Sequence, residues 1–333
     1  MKALVYLGPR WMELQEVPEP RPEPGEVVIG TTASAVCGSD LHAFREASTR
    51  RVPPLIMGHE TVGTIREVGE GVDSARVGER VVLRPILWCG ACDACRAGRT
   101  NLCVNGRLVG RDLPGGFAER FAVPARATVA LSSDIADDVA TLIEPLANAI
   151  HVTSKAIHGE EDVLVIGAGP IGSLVTTMAA ARGAIRVLVT DRAPTRMELA
   201  RAQGGTPVGP ERTEADVLEA TGGRGVDVVI DAVGVEATWA LALRAVRPGG
   251  RIEVMGLGAP SGQVDYFGVI GKEVSISGSF AWTDDEFAAA LALIEAGKIE
   301  TDGWFSWLPF SDGQRAFEDL VDAIERFKVI LRP

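Results

Sequence analysis

The segment VLVIGAGPIG, residues 163–172, is the part of the sequence that decides the fold. It opens with a continuous apolar run at residues 163–166, which is typical of a strand buried on both faces. A glycine-rich turn follows, and the Ala-rich stretch after the turn has the composition of a helix. A second apolar run occupies residues 186–190. The order strand, turn, helix, strand predicts a parallel βαβ unit.

The same alternation continues beyond this unit. Further strand-like runs lie at residues 226–230, 251–255 and 274–278, and helical stretches lie between most of them. Strands that alternate with helices form a doubly wound parallel sheet with helices on both faces. The pattern therefore predicts a Rossmann domain at residues 150–284.

The first part of the chain has a different pattern. Residues 27–29, 61–65 and 80–83 are short β-branched runs separated by turn residues, which is typical of a β-rich domain. An amphipathic helix is predicted at residues 284–296, after the last strand of the parallel sheet. A chain of 333 residues also exceeds a single typical core. We therefore expect an α/β protein with one β-rich domain and one doubly wound domain.

The glycine-rich turn fits the pattern G-x-G-x-x-G. The first glycine of this pattern allows a tight turn, the second lets the backbone approach a pyrophosphate, and the third lets helix and strand pack closely. The start of the helix then offers unpaired N–H groups and a positive dipole end to the phosphates. The predicted cofactor contacts at this turn are Gly167, Gly169, Pro170, Ile171 and Gly172.

An acidic residue, Asp191, stands at the end of the next predicted strand. A carboxylate at this place accepts hydrogen bonds from the ribose hydroxyls and repels a 2′-phosphate, which favours NAD over NADP. Arg192 and Arg196 follow closely, and an arginine nearby can accommodate that phosphate. The sequence thus predicts NAD as the cofactor and leaves NADP open.

Four of the five cysteines stand close together. They are Cys89, Cys92, Cys95 and Cys103, with the spacing C-x2-C-x2-C-x7-C. Thiolates at this spacing can converge on one tetrahedral ion, and Zn²⁺ is the usual occupant. The segment at about residues 85–110 is therefore predicted to be a lobe that holds a structural zinc ion.

The remaining cysteine, Cys37, belongs to a second set of metal-ligating residue types. His59 and Glu60 are adjacent in a strand-like, weakly charged segment, and Glu144 is an acid among apolar residues. Such an acid costs free energy to bury unless it is paired or bound to a metal. A thiolate, an imidazole and carboxylates form a Zn²⁺ set that can leave one position open for water or substrate.

Residues 58–72 read G-H-E-x2-G-x5-G-x2-V, which resembles the signature of the zinc-containing alcohol dehydrogenases of the medium-chain dehydrogenase/reductase superfamily. Residues 37–42, the four-cysteine lobe and the glycine turn occur in that family's order, so the resemblance covers nearly the whole chain. It implies a GroES-like catalytic domain at residues 1–149, completed by residues 285–333. The Rossmann domain, residues 150–284, is then inserted between these two parts.

The resemblance also implies roles for the second set of residues. Cys37, His59 and Glu144 would hold a catalytic zinc ion, and Glu60 would be a fourth, exchangeable ligand or a group beside the metal. The chain would then bind two Zn²⁺ ions. The stretch at residues 144–147 resembles polyol and sugar dehydrogenases more than ethanol-type enzymes. The implied activity is hydride transfer between NAD(H) and a secondary alcohol or ketone, with a polyol, sugar or related alcohol as substrate.

Three further residues have roles that the resemblance implies. Zn²⁺ lowers the pKa of an oxygen that it coordinates, and for water this pKa falls to about 7 in favourable sites. Ser39 would take the proton that the alcohol loses, and His42 would pass this proton on to solvent. Lys328 resembles a late basic residue that contacts the cofactor pyrophosphate.

Composition excludes some classes of partner. The net charge of −12 argues against nucleic acid or an anionic membrane surface as a partner. Glycines and a proline interrupt the longest apolar stretch, at residues 163–181, so no membrane span is expected. The N-terminus shows no apolar signal core, and we expect a cytoplasmic protein in which clustered cysteines bind metal.

Two other functions compete with this interpretation. One is a zinc-independent reductase of activated double bonds on the same fold, but such relatives usually lack the second metal-ligating set. The other is a non-catalytic nucleotide-binding relative, which has no need of an open metal position. In every case the partner is a small molecule, and the resemblance implies a homodimer or homotetramer.

Overall fold

The computed structural model describes residues 1–132, 134–322 and 326–333. These residues form two compact units. Unit 1 consists of Met1–Glu144 and Thr283–Pro333, and unit 2 consists of Pro145–Trp282. Unit 1 is therefore built from both ends of the chain, and unit 2 from one continuous segment.

The strands are β1 (Lys2–Gly8), β2 (Trp11–Glu16), β3 (Glu26–Ala35), β4 (Leu55–Ile56), β5 (Glu60–Val68), β6 (Arg80–Leu83), β7 (Ile86–Leu87), β8 (Arg107–Leu108), β9 (Arg120–Pro124), β10 (Thr128–Ala130), β11 (Asp162–Ile166), β12 (Arg186–Thr190), β13 (Thr206–Pro207), β14 (Val226–Asp231), β15 (Val246–Val254), β16 (Ser275–Gly278), β17 (Phe305–Pro309) and β18 (Lys328–Arg332). The α-helices are α1 (Gly38–Arg45), α2 (Asp93–Arg96), α3 (Asp137–Ala140), α4 (Ile143–Ala156), α5 (Pro170–Ala181), α6 (Pro194–Ala202), α7 (Thr213–Ala220), α8 (Glu236–Ala245), α9 (Tyr266–Lys272), α10 (Asp284–Glu295) and α11 (Gly313–Asp322).

Unit 1 is β-rich, as expected. Its main sheet has the order β10-β6-β5-β3-β18-β17, and β9 pairs with β3 outside this path. The C-terminal strand β18 thus lies next to β3, from the first part of the chain, with Ile330 opposite Ala35. A second sheet has the order β2-β1-β4, and β7 pairs with β8 at the two ends of the four-cysteine lobe.

The apolar core of unit 1 joins strands and helices from both ends of the chain. Phe44 and Phe117 are fully buried in it, and each ring packs against the ring of Phe317 on α11. A separate cluster fills the interior of the main sheet around Ile29, Ile65 and other β-strand residues. This continuous burial fixes the ends of β3 and β5, where the candidate metal ligands lie.

Unit 2 contains a parallel sheet with the order β13-β12-β11-β14-β15-β16. Strand order reverses between β11 and β14, and ligands of open α/β sheets bind at the carboxyl ends of strands at such a switch point. The sheet confirms the predicted doubly wound fold, and its strands β11, β12, β14, β15 and β16 overlap the five predicted runs. In the described part of the chain, the helices fall short of the length and apolarity that crossing a membrane requires.

Candidate active site

Strand pairing brings Cys37, His59 and Glu60 together, although they are distant in sequence. β3 ends two residues before Cys37, β5 begins at Glu60, and Ala35 lies opposite Glu60 in this antiparallel pair. One ligand atom from each of the three residues lies within 4.8 Å of those of the other two. Since β3 and β5 form a buried, well-paired ladder, this arrangement is part of the rigid sheet.

The chemistry of this set fits a Zn²⁺ ion. Removal from water raises the pKa of the Cys37 thiol, and the charges of Glu60 and Asp40 raise it further. His59 is buried, and its Nδ1 has no hydrogen-bond partner among the described residues, with Asp40 Oδ1 at 3.6 Å. A thiolate, an imidazole and a carboxylate held this close form a donor set for Zn²⁺, and the ion would offset the cost of burying the thiolate.

Lys328 supplies a positive charge at the edge of this set. Its Nζ forms an ion pair with the carboxylate of Glu60 and donates to the carbonyl of Val36 at 3.3 Å. Both charged side chains are almost fully buried. Burial alone would lower the pKa of Lys328, but Glu60, Cys37 and Glu144 outweigh it, so the pKa is raised. The structure thus places the predicted pyrophosphate contact against Glu60, inside unit 1.

Glu144 lies near the same charges but outside the closest set. It is the second residue of α4 and is buried. Its charge raises the pKa of both Cys37 and Glu60. Within the residues described, the atoms that lie within 4.8 Å of one another come from Cys37, His59 and Glu60 and do not include Glu144. A metal role for Glu144 stays a prediction.

Ser39 stands beside the Cys37 thiol in the first turn of α1. Its hydroxyl donates to Cys37 Sγ at 3.4 Å and accepts from Nη2 of Arg51 at 2.8 Å. Sequence reasoning missed Arg51, because nothing in its local sequence distinguishes it from a surface arginine. His42 lies one turn further along α1, where burial and then the charge of Arg45 lower its pKa.

The four-cysteine lobe also has the geometry of a metal site. The four sulfur atoms all lie within 4.8 Å of one another. Backbone N–H groups of Ala91 and Cys92 bond to the Cys89 thiol and lower its pKa to about 6. N–H donors of this kind stabilise a thiolate, which is the form that binds Zn²⁺. Burial, in contrast, raises the pKa of Cys95 to about 12, a penalty that metal coordination would remove.

The glycine turn of unit 2 has the shape that a dinucleotide needs. Gly167 has a φ of +96°, which favours glycine, and a Cβ on Gly172 would lie 1.7 Å from the carbonyl oxygen of Gly167. A Cβ on Gly169 would meet nothing nearer than an Arg196 nitrogen at 3.8 Å, so space is open there. Pro170 and Ile171 form the first turn of α5, whose N-terminus adjoins this space.

Asp191 directly follows β12, the strand next to this turn, and its carboxylate already has two backbone partners. Its carboxylate accepts from the N–H of Ala168 at 2.8 Å and from that of Ala193 at 2.9 Å. Nη1 of Arg196 lies 3.8 Å from the same carboxylate, and Arg192 is exposed. Because each carboxylate oxygen has a second lone pair, Asp191 can still accept from a ribose hydroxyl.

Comparison with known proteins agrees with this geometry. The family model of the alcohol dehydrogenase GroES-like domain matches residues 23–133, and that of the zinc-binding dehydrogenases matches residues 170–296. An L-threonine 3-dehydrogenase of Pyrococcus abyssi is 37% identical over 313 residues, which cover 91% of this chain and 89% of that protein.

Solved structures are similar over the full length of the chain. A protein described as a short-chain alcohol dehydrogenase from Escherichia coli CFT073, solved with NADH, has a TM-score of 0.90 and 31% identity. The 2R,3R-butanediol dehydrogenase of Bacillus subtilis has a TM-score of 0.89 and 27% identity. Each similarity covers 100% of this chain and 99% of the other chain.

Proposed function

This chain belongs to the zinc-dependent alcohol dehydrogenases of the medium-chain dehydrogenase/reductase superfamily, and from that membership we propose a substrate class and a role for each site residue. Enzymes of this family transfer a hydride between NAD(P)(H) and a CH–OH group, with Zn²⁺ as the resident metal. Similar proteins named for L-threonine and for 2R,3R-butanediol have substrates whose reacting carbon adjoins a carbon that carries an amino or hydroxyl group. We therefore propose a small secondary alcohol with such a polar neighbour as substrate.

The proposed ligands of the catalytic metal are Cys37, His59 and Glu144. Glu60 is proposed as a fourth, exchangeable ligand. Zn²⁺ in this site would supply a Lewis acid that lowers the pKa of the substrate alcohol. Lys328 holds Glu60 through the buried ion pair described above, and this supports Glu60 as an exchangeable ligand that returns to Lys328 when it leaves the metal.

The proton and the hydride leave the substrate by different routes. NAD⁺ held by unit 2 would take up the hydride of the carbinol carbon. Ser39 would accept the proton of the substrate hydroxyl while it releases its own hydroxyl proton toward His42, so that a ketone, NADH and a proton would result. The Ser39 hydroxyl beside the Cys37 sulfur supports this assignment. The pKa of His42 is lowered, which favours the neutral imidazole; a neutral imidazole can take up this proton and release it to solvent.

Unit 2 is proposed to bind the cofactor and unit 1 to carry the chemistry. Contacts from Gly167, Gly169 and Gly172 would hold the pyrophosphate, with α5 behind them. Asp191 would bind the adenosine ribose, which favours NAD, while Arg196 beside it leaves some capacity for NADP.

A homodimer or homotetramer in the cytoplasm is the proposed state. β16 is an edge strand of its sheet, and the neighbouring helix α9 exposes Tyr266, Phe267 and Ile270. An unpaired strand edge with an exposed apolar face beside it is the kind of surface that a second copy covers. All five cysteines lie in the two candidate metal sites, and clustered thiols that bind metal are typical of a reducing compartment.

The observation that carries this proposal is the convergence of Cys37, His59 and Glu60 beside Ser39. The test is NAD⁺ reduction with L-threonine, 2R,3R-butanediol, galactitol and sorbitol, with zinc content measured on the same sample. We expect turnover with two zinc ions per chain. His59→Ala should keep one zinc and lose at least about 100-fold in turnover, whereas the exposed His158→Ala should match the parent protein.

Two outcomes would contradict it. A protein with two zinc ions that oxidises no alcohol of the panel would favour the non-catalytic alternative. A protein with zinc in the lobe alone would favour the reductase of activated double bonds.

A further inference from the structure

A buried arginine next to Ser39 has no role in the function described so far. Arg51 lies in the segment between α1 and β4 and is only 5% exposed. One guanidinium nitrogen, Nη1, donates to the carbonyl of Gly110 at 2.7 Å. The other, Nη2, donates to Ser39 Oγ at 2.8 Å and lies 3.1 Å from Asp40 Oδ1. Burial of a charged group requires such compensation by partners.

The contacts of Arg51 argue against an anion-binding role. Asp40 is fully buried and neutralises the guanidinium charge. Its second oxygen accepts from the N–H of Cys37 at 3.2 Å, so the pair is fixed to the start of α1. An anionic substrate would have to displace Asp40, and this would leave a buried carboxylate without its counter-charge.

The hydrogen bond from Arg51 limits what Ser39 can do. A serine hydroxyl has one proton and two lone pairs. Arg51 occupies one lone pair, and the proton points to the Cys37 sulfur. One lone pair remains, and it is the one available to an incoming alcohol. Ser39 has to release its own proton as it takes up that of the alcohol; a guanidinium does not accept protons, so the receiver is His42, as proposed above, and not Arg51.

We propose that Arg51 is a positioning residue that holds Ser39 in the rotamer from which it removes the substrate proton. This inference rests on the proposed role of Ser39. Without Arg51 the hydroxyl can turn among its staggered rotamers, so proton removal slows while substrate binding changes little. The expected signature is a lower kcat at an almost unchanged KM, with a larger solvent deuterium isotope effect.

The test is a double-mutant cycle of Arg51→Gln with Ser39→Ala, in zinc-replete protein. Arg51→Gln should lower kcat by about tenfold, which is part of the general acid–base contribution. In the Ser39→Ala background the same change should lower kcat by less than about twofold, because the residue that it positions is gone. Arg51→Lys keeps the charge and should recover part of the kcat. Zinc content and thermal stability are measured for every variant, since Asp40 also approaches His59.

Arg76→Gln is the matched control. Arg76 also bonds to a carbonyl, a hydroxyl and a carboxylate, of Ala125, Thr128 and Glu79, but none of these partners belongs to the proposed metal site or proton route. It should lower the melting temperature and leave kcat and the isotope effect unchanged.

The outcomes separate the inference from the proposed function. If Ser39→Ala keeps the parent kcat, the proposed proton route is wrong. If Ser39→Ala lowers kcat but Arg51→Gln costs the same factor in both backgrounds, the positioning role is refuted and Arg51 is structural. Should Arg51→Gln fold poorly or lose zinc, the cycle with Arg51→Lys decides by the same criterion.

Discussion

Two glycines of the same turn should separate cofactor binding from folding. Gly169 has a φ of −69° and a ψ of −175°, which alanine adopts without strain, and its Cβ would touch only an arginine nitrogen at 3.8 Å. Two effects of Gly169→Ala oppose each other. Alanine is a slightly poorer N-cap than glycine, which destabilises the helix, but it makes the unfolded chain less flexible, which stabilises the folded state. The free energy of unfolding should therefore change by less than about 0.5 kcal/mol. The added methyl group fills the space where the proposed pyrophosphate approaches the backbone. Affinity for NADH should therefore fall by at least about tenfold, which corresponds to about 1.4 kcal/mol.

Gly172→Ala should behave in the opposite way. Its Cβ would lie 1.7 Å from a backbone oxygen, although real Cβ contacts essentially never fall below 3.0 Å. Helix α5 must then move by more than about 1 Å, and overpacking of this kind costs about 3 kcal/mol. We expect a melting temperature roughly 10 °C lower.

The assay combines NADH fluorescence titration with thermal melting of both variants. If Gly169→Ala binds NADH as the parent protein does, the cofactor does not approach this turn. If the melting temperature of Gly169→Ala is as low as that of Gly172→Ala, the space beside Gly169 is not open.

Three further changes test other parts of the molecule. Cys95→Ala should remove one zinc ion per chain and lower the melting temperature by roughly 10 °C; loss of hydride transfer alone, in a fully stable protein, would show that the lobe is misassigned. Lys328→Met should lower the free energy of unfolding of chelator-treated protein by about 3 kcal/mol, because Glu60 stays buried without its cation; urea unfolding with and without zinc checks this, and equal stability of variant and parent would contradict it. For Asp227, burial raises the pKa, but the hydrogen bonds from Arg247 and a backbone N–H outweigh it, so the net pKa is lowered. Its stabilising contribution, about 1–2 kcal/mol, is present above about pH 4 and is lost as pH falls through the lowered pKa. The difference in unfolding free energy between the parent and Asp227→Asn should thus shrink from pH 7 to pH 3, and a constant difference would refute this reasoning.

The fold was predictable where local pattern and tertiary environment agree. The apolar run at residues 163–166 forms all but the first residue of β11, at the centre of the parallel sheet, because a strand buried on both faces is continuously apolar. The runs at residues 80–83 and 186–190 have the same bounds as β6 and β12. Helix α1, in contrast, was not predicted. Its apolar residues belong to a core cluster that includes α11, which is more than 260 residues later in the chain.

The candidate site was predictable as far as spacing determines it. Four cysteines within one lobe must lie close together, and a glycine turn between strand and helix is a local feature. The contacts of Lys328 and Arg51 could not be predicted from the sequence, because they depend on the tertiary structure. Lys328 meets Glu60 only because β18 lies beside β3. Arg51 meets Ser39 across a loop whose path no residue pattern indicates.

The position of β18 between β3 and β17 has a consequence for how the protein is made. Unit 2 is one uninterrupted segment, so it can fold while the ribosome is still adding residues. The main sheet of unit 1 lacks an interior strand until β18 has been synthesised, and the proposed metal site lacks the lysine that pairs with Glu60. A nascent chain would therefore carry a folded unit 2 before unit 1 is complete, and zinc loading at the proposed site around Cys37 would follow the synthesis of β18.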